Sequence, residues 1–458
     1  MASTISVASL YLTAMINLLL TMKLLVLFAV FVIVSCQADF DEVPYFETYD
    51  DNSTVSQANV ACSVRIGQDT ANPQPLFIRP GTSEWFHPSD RRGVLEFTAN
   101  QEIELHCSDS FATPNGLSGS TIRIACSGGI RFRFNNIFYN FNEFTCRNWP
   151  TYVAQRRATT ARCFNQATIV DTGFQVGTRF LRVFTSCHDP RTEENYYTEY
   201  QLTPAADGQE RSVERPNWGQ GDFFPGKNVD IMHTRNNQRN TIATIVGSTA
   251  LADRYIEPTP SDVFLARGHM AAMTDFITAN EQRSTFLFIN TAPQWQTFNG
   301  LNWVSVEISS RRLASDRNIV LDTYTGTFGI TQLRDINNVN RRIFIDGQNN
   351  QIPVPMLYYK ILVNRADQSG VVLLGVNNPH LTLAEILANY VICTDVSSRI
   401  NYVSWQRTNL RRGYGYACDV NDFLRVAPHI PGLTSAVIDT SCSIVLFGFA
   451  DWSFRNSD

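Results

Sequence analysis

No Cys-x-x-Cys pair and no Gly-x-Ser-x-Gly elbow occurs in the chain. The first absence removes the common framework of a structural zinc site, and the second removes the exposed serine of an acyl-transfer hydrolase. Charge is also scarce. Charged residues are 17% of the composition and the formal net charge is −5, which excludes a histone-like coat protein, because counterion-release binding needs concentrated Lys and Arg. No internal repeat is evident, and beyond the N-terminal segment no apolar run reaches the ~20 residues that a membrane helix needs. Apolar material is ample: 44% of the 458 residues are hydrophobic, enough for two cores and without the bias of a disordered chain.

The N-terminus reads as a targeting segment. Met22-Lys23 opens an apolar run over residues 24–34 that ends at Cys36-Gln37-Ala38, the charged start, apolar core and small-residue end of a secretory signal, with cleavage expected after Ala38. Met22 is the expected start. A start at Met1 would add a second apolar run and a membrane-anchored form, which Lys23 in the middle of the stretch opposes. Residues 39–57 form an acidic leader carrying the only glycosylation sequon, Asn52-Ser53-Thr54. The mature product is thus expected to be secreted and extracellular, without a membrane segment. Cysteine usage agrees: with Cys36 removed, nine remain, and Cys62, Cys107, Cys126, Cys146, Cys163 and Cys187 fall before or at the start of the region with the chemical motifs. A disulfide framework is expected among these six, its connectivity open, with Cys393 and Cys418 as a natural C-terminal pair and Cys442 left over.

Two domains are expected. In 58–177, short runs such as 119–126 and 130–139 alternate with Gly, Asn and Pro turns, which suggests a β-rich, disulfide-linked accessory domain. The second domain, 178–458, opens with strand-like runs at 180–185 and 196–202, and residues 203–227, rich in Gly, Pro and charge, read as a loop inside it.

The chemistry concentrates between residues 267 and 311. Arg267-Gly268-His269 is followed by Asn290-Thr291-Ala292-Pro293-Gln294, Asn299, Trp303, Glu307 and Arg311. Attack of water on a phosphodiester needs a group that accepts a proton near neutral pH, and His269 is the candidate base. A hard cation such as Mg2+, for which Mn2+ can substitute, prefers oxygen ligands and keeps several waters, so the amide oxygen of Asn299 is enough to anchor one. Arg267 and Arg311 present forked donors that match phosphate oxygens, and Glu307 can orient water. Residues 263–267 and 285–290 read as strands. Residues 298–312 read as a helix with Leu301, Val304 and Ile308 on its buried stripe, and with Asn299, Trp303, Glu307 and Arg311, four apart, on a polar ridge opposite. Gly300 inside that helix costs about 1 kcal/mol against Ala, which suggests close approach of another backbone. A lone His is usually structural and a polar ridge is more often a solvated face; the conjunction carries the reading. The Arg311-Arg312, Arg341-Arg342 and Arg411-Arg412 pairs could line a basic groove, though each alone is more often solvated surface.

Residues 265–311 resemble the DNA/RNA non-specific endonucleases of the ββα-metal, or His-Me finger, type, whose signature is Asp-Arg-Gly-His followed by Asn-x-x-Pro-Gln and a metal-binding Asn. The run Pro293-Gln294-Trp295-Gln296-Thr297-Phe298-Asn299 is similar to the arthropod secreted branch, which includes insect gut nucleases that degrade double-stranded RNA and a crab duplex-specific nuclease. Pro353-Val354-Pro355 before Tyr358-Tyr359-Lys360, and Asn377-Asn378-Pro379-His380, are further features of that branch. The resemblance implies an α+β fold, with a mixed sheet core around the ββα-metal motif. It implies His269 as general base, Asn299 as the sole direct protein ligand of Mg2+, and Glu307 as a carboxylate just outside the direct ligands. Arg267 and Arg311 become phosphate and transition-state contacts, and Asn290 a polar support. The implied partners are RNA and DNA substrates, duplex in preference, with no obligate protein partner. Two positions depart from the pattern: Ala266 stands where an acid often precedes the Arg, and Ala272 where a Pro often follows the His. A further phosphate-binding Arg that the family supplies from upstream has Arg235 and Arg239 as candidates. The competing reading is a catalytically silent nucleic-acid-binding or uptake protein on the same scaffold. An adhesion or structural protein would explain signal and cysteines but not the spacing.

Overall fold

The computed structural model describes residues 60–428 except 118, 159 and 160, and beyond them 430 and 433. The signal segment, the acidic leader and Cys442 lie outside the described residues. The described part belongs to one compact unit, 58–458, and its fold is α+β.

An antiparallel sheet of eight strands forms its centre, in the order Tyr152–Arg156, Thr168–Val176, Arg179–Asp189, Glu194–Leu202, Leu321–Ile330, Pro355–Asn364, Ser369–Val376 and Gly415–Cys418. Neighbours in space follow chain order, so each strand returns beside its predecessor and every pairing is antiparallel, where a mixed sheet was expected. Its first two strands precede residue 177, where the sequence reading divides the chain. The hairpin of Thr168–Val176 with Arg179–Asp189 pairs Val176 with Arg179, so the sheet continues across that point.

Alternation of side chains along a strand sends successive residues to opposite faces. In Pro355–Asn364, Leu357, Tyr359, Ile361 and Val363 enter one apolar cluster, and Tyr358 and Leu362 enter another. Lys360 shares the second face. Ser369–Val376 reads Ser-Gly-Val-Val-Leu-Leu-Gly-Val without alternation and is buried throughout, as a strand covered on both faces must be.

The N-terminal part carries a five-stranded sheet, in the order Leu76–Ile78, Glu102–His106, Thr121–Cys126, Arg131–Phe134 and Ile137–Asn140. Disulfides Cys62–Cys126 and Cys107–Cys146 tie it, and Cys163–Cys187 and Cys393–Cys418 tie the central sheet and its flank. Its apolar cluster includes Ala205 and Ile277 from the later sequence. Polar contacts reinforce the junction: Asn280 Nδ2 donates to the Gln74 carbonyl at 3.0 Å, Gln74 Nε2 to Glu210 Oε2 at 2.9 Å, and His87 lies 3.0 Å from Glu281. The helix Ala279–Ser284, which supplies Asn280 and Glu281 to these contacts, stands in the chain between the two motif strands, so the N-terminal part braces the connection between them.

Candidate active site

The site is built on a two-stranded antiparallel ribbon, Leu265–His269 with Thr291–Trp295, which pairs His269 with Thr291 and Arg267 with Pro293. Both strands lie later than the sequence pattern suggested. Residues 285–290 are not a strand: Thr285 caps a helix, and Phe288–Asn290 is a 3-10 turn. Pro293 argues against a central strand because it cannot donate to a ladder, yet a two-stranded ribbon has a free edge for it. Gly268 is required by packing, since a Cβ there would lie 2.4 Å from Gln294 Oε1 and 2.7 Å from the Tyr358 hydroxyl. Asn290 is fully buried and clamps the chain just beyond His269: its Oδ1 accepts from Ala271 N at 2.9 Å, and its Nδ2 donates to the carbonyls of Ala271 and Thr285 at 2.9 and 3.0 Å.

The helical segment after the ribbon is interrupted. Gln296–Phe298 is α, Asn299–Trp303 is π, and Val304–Asp316 is α again. The wide π turn shifts the phase of the helix, so the stripe Leu301, Val304, Ile308 expected to be buried is not the core face. Val304 is 36% exposed, while Trp303, Val306, Leu313 and Ala314 pack against Leu321, Tyr358, Leu362 and Leu373. The ridge expected to be polar points inward: Trp303 is 1% and Arg311 5% exposed. Such π turns are frequent at functional sites, and this one begins at Asn299. Gly300 faces the side chain of Gln296, whose Nε2 would lie 2.8 Å from an added Cβ, not another backbone.

His269 is packed between Trp218 and Phe286, with ring centroids at 4.8 and 5.0 Å. Its Nε2 is enclosed without a hydrogen-bond partner. Burial, then the charge of Arg215, push its pKa down to about 3, against the pull of Asp275, so the imidazole is neutral and able to take a proton. Trp218 and Arg215 were not singled out in the sequence; both come from the 203–227 loop, held here by Gly219 N donating to the Phe286 carbonyl and Phe288 N to the Gly219 carbonyl, both at 2.9 Å.

Beneath the helix lies a buried ionic cluster that the motif spacing did not reveal. Asp275 accepts from Arg311 Nη1 at 2.8 Å, from Lys360 Nζ at 2.8 Å and from the Tyr200 hydroxyl at 2.6 Å. Burial pushes its carboxyl up, but Lys360 and Arg311 pull it further down, below the usual range. Among the described residues no hydrogen-bond donor to Glu307 is present. Burial and the charge of Asp275 push it up to about 7, against Lys360 and Arg311. The field of Asp275 therefore reaches His269, Glu307 and Arg311 together.

Other candidates stand apart from this group. Arg267 Nη2 donates to Asp230 Oδ1 at 2.6 Å and its guanidinium lies 6.0 Å from the centroid of Phe288. Arg235 donates to the carbonyls of Glu257 and Ser261 over the ring of Phe264, and Arg239 pairs with Asp253. The arginine pairs do not form a groove of bare charge, because Arg311, Arg341 and Arg411 are bound by Asp275, Asp335 and Asp262. Asn299 Nδ2 donates to Gln296 Oε1 at 3.1 Å, which leaves its Oδ1 for a cation. Among the described residues no three His, Cys, Asp or Glu side chains group to hold a metal. An amide oxygen with no other partner is the type of donor that a hard cation accepts.

A two-stranded ribbon with His269 at the end of its first strand, followed by a helical segment that starts on Asn299 and carries Glu307 and Arg311, is the ββα arrangement that the resemblance implies. A model of the DNA/RNA non-specific endonuclease family matches residues 165–423, more than half of the chain, and the chain belongs to that family. It is similar to Salivary protein Tsal2A of Glossina morsitans morsitans, 22% identical over 392 residues that cover 81% of this chain and 94% of the relative. Salivary protein Tsal1 of the same fly is 24% identical over 397 residues, covering 82% and 93%. A Salivary endonuclease of Lutzomyia longipalpis is 26% identical over 220 residues, covering 48% of this chain and 51% of the relative. The crystal structure of the EndoG/EndoGI complex is 21% identical over 43% of this chain and 71% of its own, with a TM-score of 0.28, too low to carry an argument.

Proposed function

We propose that the protein is a secreted, Mg2+-dependent endonuclease that hydrolyses phosphodiester bonds of RNA and DNA without reading sequence, with duplexes preferred. The observation that carries it is geometric: a two-stranded ribbon that ends one strand on His269 is followed by a helical segment that begins on Asn299 and carries Glu307 and Arg311, the latter bound to buried Asp275. His269 takes the proton of the attacking water. Nδ1 is the nitrogen available, since Nε2 is enclosed, and the approach of an anionic phosphodiester offsets the Arg215 charge that depresses the ring. Asn299 Oδ1 would hold the cation, which supplies charge to the phosphate oxygens when bound. Glu307 orients water, Arg311 stabilises the developing charge from below, and Arg267 and the exposed Arg215 contact phosphate. None of these groups reads a base edge, which is the reason for expecting little sequence preference. Four disulfides fit an oxidising compartment, and the salivary origin in the relatives' names supports export. Among the described residues no helix is long and apolar enough to cross a membrane.

One observation favours a second reading, a silent nucleic-acid binder: a ring with a pKa near 3 is a weak base. Initial rates on labelled double- and single-stranded RNA and DNA, with and without chelator, separate the two. Cleavage that stops in chelator and returns with Mg2+ is expected. Binding without cleavage under every metal condition would replace the enzyme with the binder, and faster cutting of single strands would remove the duplex preference.

A further inference from the structure

Resting on the nuclease reading, we infer that a second surface continues from the scissile site onto the N-terminal domain and takes an unpaired nucleic-acid strand flanking the cut, with Trp149 as its base-stacking platform. A chain of contacts leads there. The ring of Trp218 lies 4.8 Å from His269 and 4.9 Å from Phe286. Phe286 N donates to the Arg283 carbonyl at 3.3 Å, and Arg283, at the end of the short helix Ala279–Ser284, donates through Nη1 to the Glu214 carbonyl at 2.8 Å, with its guanidinium 4.3 Å from the Trp149 ring. Arg283 Nε is buried without a hydrogen-bond partner among the described residues. Burial lowers the pKa of Arg283, with Tyr152 and Glu214 acting in the opposite sense.

Around the path the charge is that of a strand-binding groove. Arg147, Arg211 and Arg215 are exposed and make no ion pair among the described residues, while the acids nearby are Glu214 and Asp109, the latter hydrogen-bonded to Asn148 at 2.7 Å. Guanidinium groups alternating with indoles suit a single strand, because every unpaired base offers a π face and every link a phosphate. A duplex hides its base faces and would engage only the phosphate contacts. The occupant is therefore an unpaired extension next to the duplex being cut. Trp149 follows the Cys107–Cys146 bridge by three residues, which ties the chain close to the platform.

The test compares a blunt RNA duplex with the same duplex extended at both ends by about ten unpaired nucleotides, within the site sizes of strand-binding folds, by fluorescence anisotropy in excess chelator. The full chain is expected to bind the extended duplex more tightly. Trp149→Ala should reduce that advantage by about fivefold or more, the low end for loss of one base–aromatic stack; Trp149→Phe should restore most of it, and Arg147→Glu should reduce it. Circular dichroism checks folding, and if Trp149→Ala fails to fold, Arg147→Glu on its exposed side chain decides alone. A wild type that cuts the blunt duplex but shows no preference for extensions overturns this inference and leaves the nuclease reading standing, as does a preference unchanged in folded variants. A wild type that neither binds nor cuts overturns both.

Discussion

Glu307→Gln is expected to make the protein more stable and less active, with the gain in stability dependent on pH. The Glu307 carboxyl sits at about 7 against an ordinary 4.5, chiefly because it is buried and faces the charge of Asp275. A folded-state pKa above the unfolded one means that the folded chain holds the proton more tightly. The contribution to stability is therefore fully present below about 4.5 and is lost as pH rises through about 7. At about 1.4 kcal/mol for each tenfold change in proton affinity, the loss at pH 8 is on the order of 3 kcal/mol. The neutral amide avoids it. With an unfolding entropy of roughly 2.1 cal/mol/K per residue, a unit of this length moves by about 1.2 °C per kcal/mol, so Tm should rise by about 4 °C at pH 8 and by only about 1 °C at pH 5.

Scanning calorimetry of both proteins at the two pH values measures this, alongside cleavage rates. Turnover should fall by ~10²-fold or more, because Gln cannot act as the charged group that orients water. Wild-type kcat/KM should rise with pH through about 7 as Glu307 ionises. An equal gain in Tm at both pH values, or none at pH 8, would refute the assignment of the cost to the ionised carboxylate.

Three further outcomes follow from the same geometry. His269→Ala should lower turnover by ~10²-fold or more while duplex binding in chelator persists; undiminished cleavage would reject His269 as the base. Asn299→Ala should raise the Mg2+ concentration needed for half-maximal rate, and an unchanged metal titration would assign the ligand elsewhere. Asp275→Asn leaves Arg311 and Lys360 buried without their shared counter-ion, which should cost about 3–5 kcal/mol and lower Tm by about 4–6 °C near neutral pH. Because the Asp275 carboxyl is held below its ordinary range, that deficit should shrink as acid protonates the wild type. A neutral-pH melt within a degree of wild type would show that the cluster is not ionised.

The local structure around the candidate site was partly legible because its residues are close in sequence and their types are chemically demanding. His269 ends a strand, Asn299 and Glu307 follow on a helical segment, and Gly268 is explained by contact. The element boundaries were less so. Thr-Phe-Leu-Phe-Ile-Asn at 285–290 has strand composition, yet its Phe and Leu side chains are buried around Trp218 and the ribbon is formed by the next five residues, Pro included. The helix face was misread for one reason, the π turn at Asn299–Trp303. Regular 3.6-residue periodicity cannot anticipate a turn of different pitch, and everything beyond it rotates. Cys393–Cys418 was found from proximity in the chain, and the pairing of the first six cysteines required the fold.

What spacing could not show is the group that governs the site's charge. Tyr200, Asp275 and Lys360 come from two strands and a turn separated by long stretches of chain, and Lys360 sits in Met-Leu-Tyr-Tyr-Lys-Ile-Leu-Val, a run that reads as core strand. Alternation beside Tyr359 sends it to the face under the site helix. With Glu307 protonated, the cluster of Asp275, Glu307, Arg311 and Lys360 carries −1 + 0 + 1 + 1 = +1; with Glu307 ionised it carries zero. A neutral cluster offers a phosphodiester little net attraction, so long-range recruitment falls to arginines without acidic partners, Arg215 beside His269 foremost. An arriving phosphate adds a negative charge near Glu307 and would raise its proton affinity further, whereas a cation on Asn299 would lower it. On the proposed mechanism, substrate alone would drive Glu307 toward its protonated form, and a bound cation would oppose that drive. On this account the metal requirement should steepen as pH falls below about 7, and a half-maximal Mg2+ concentration that is the same at pH 6 and pH 8 would show that the Glu307 proton and the metal site are not coupled.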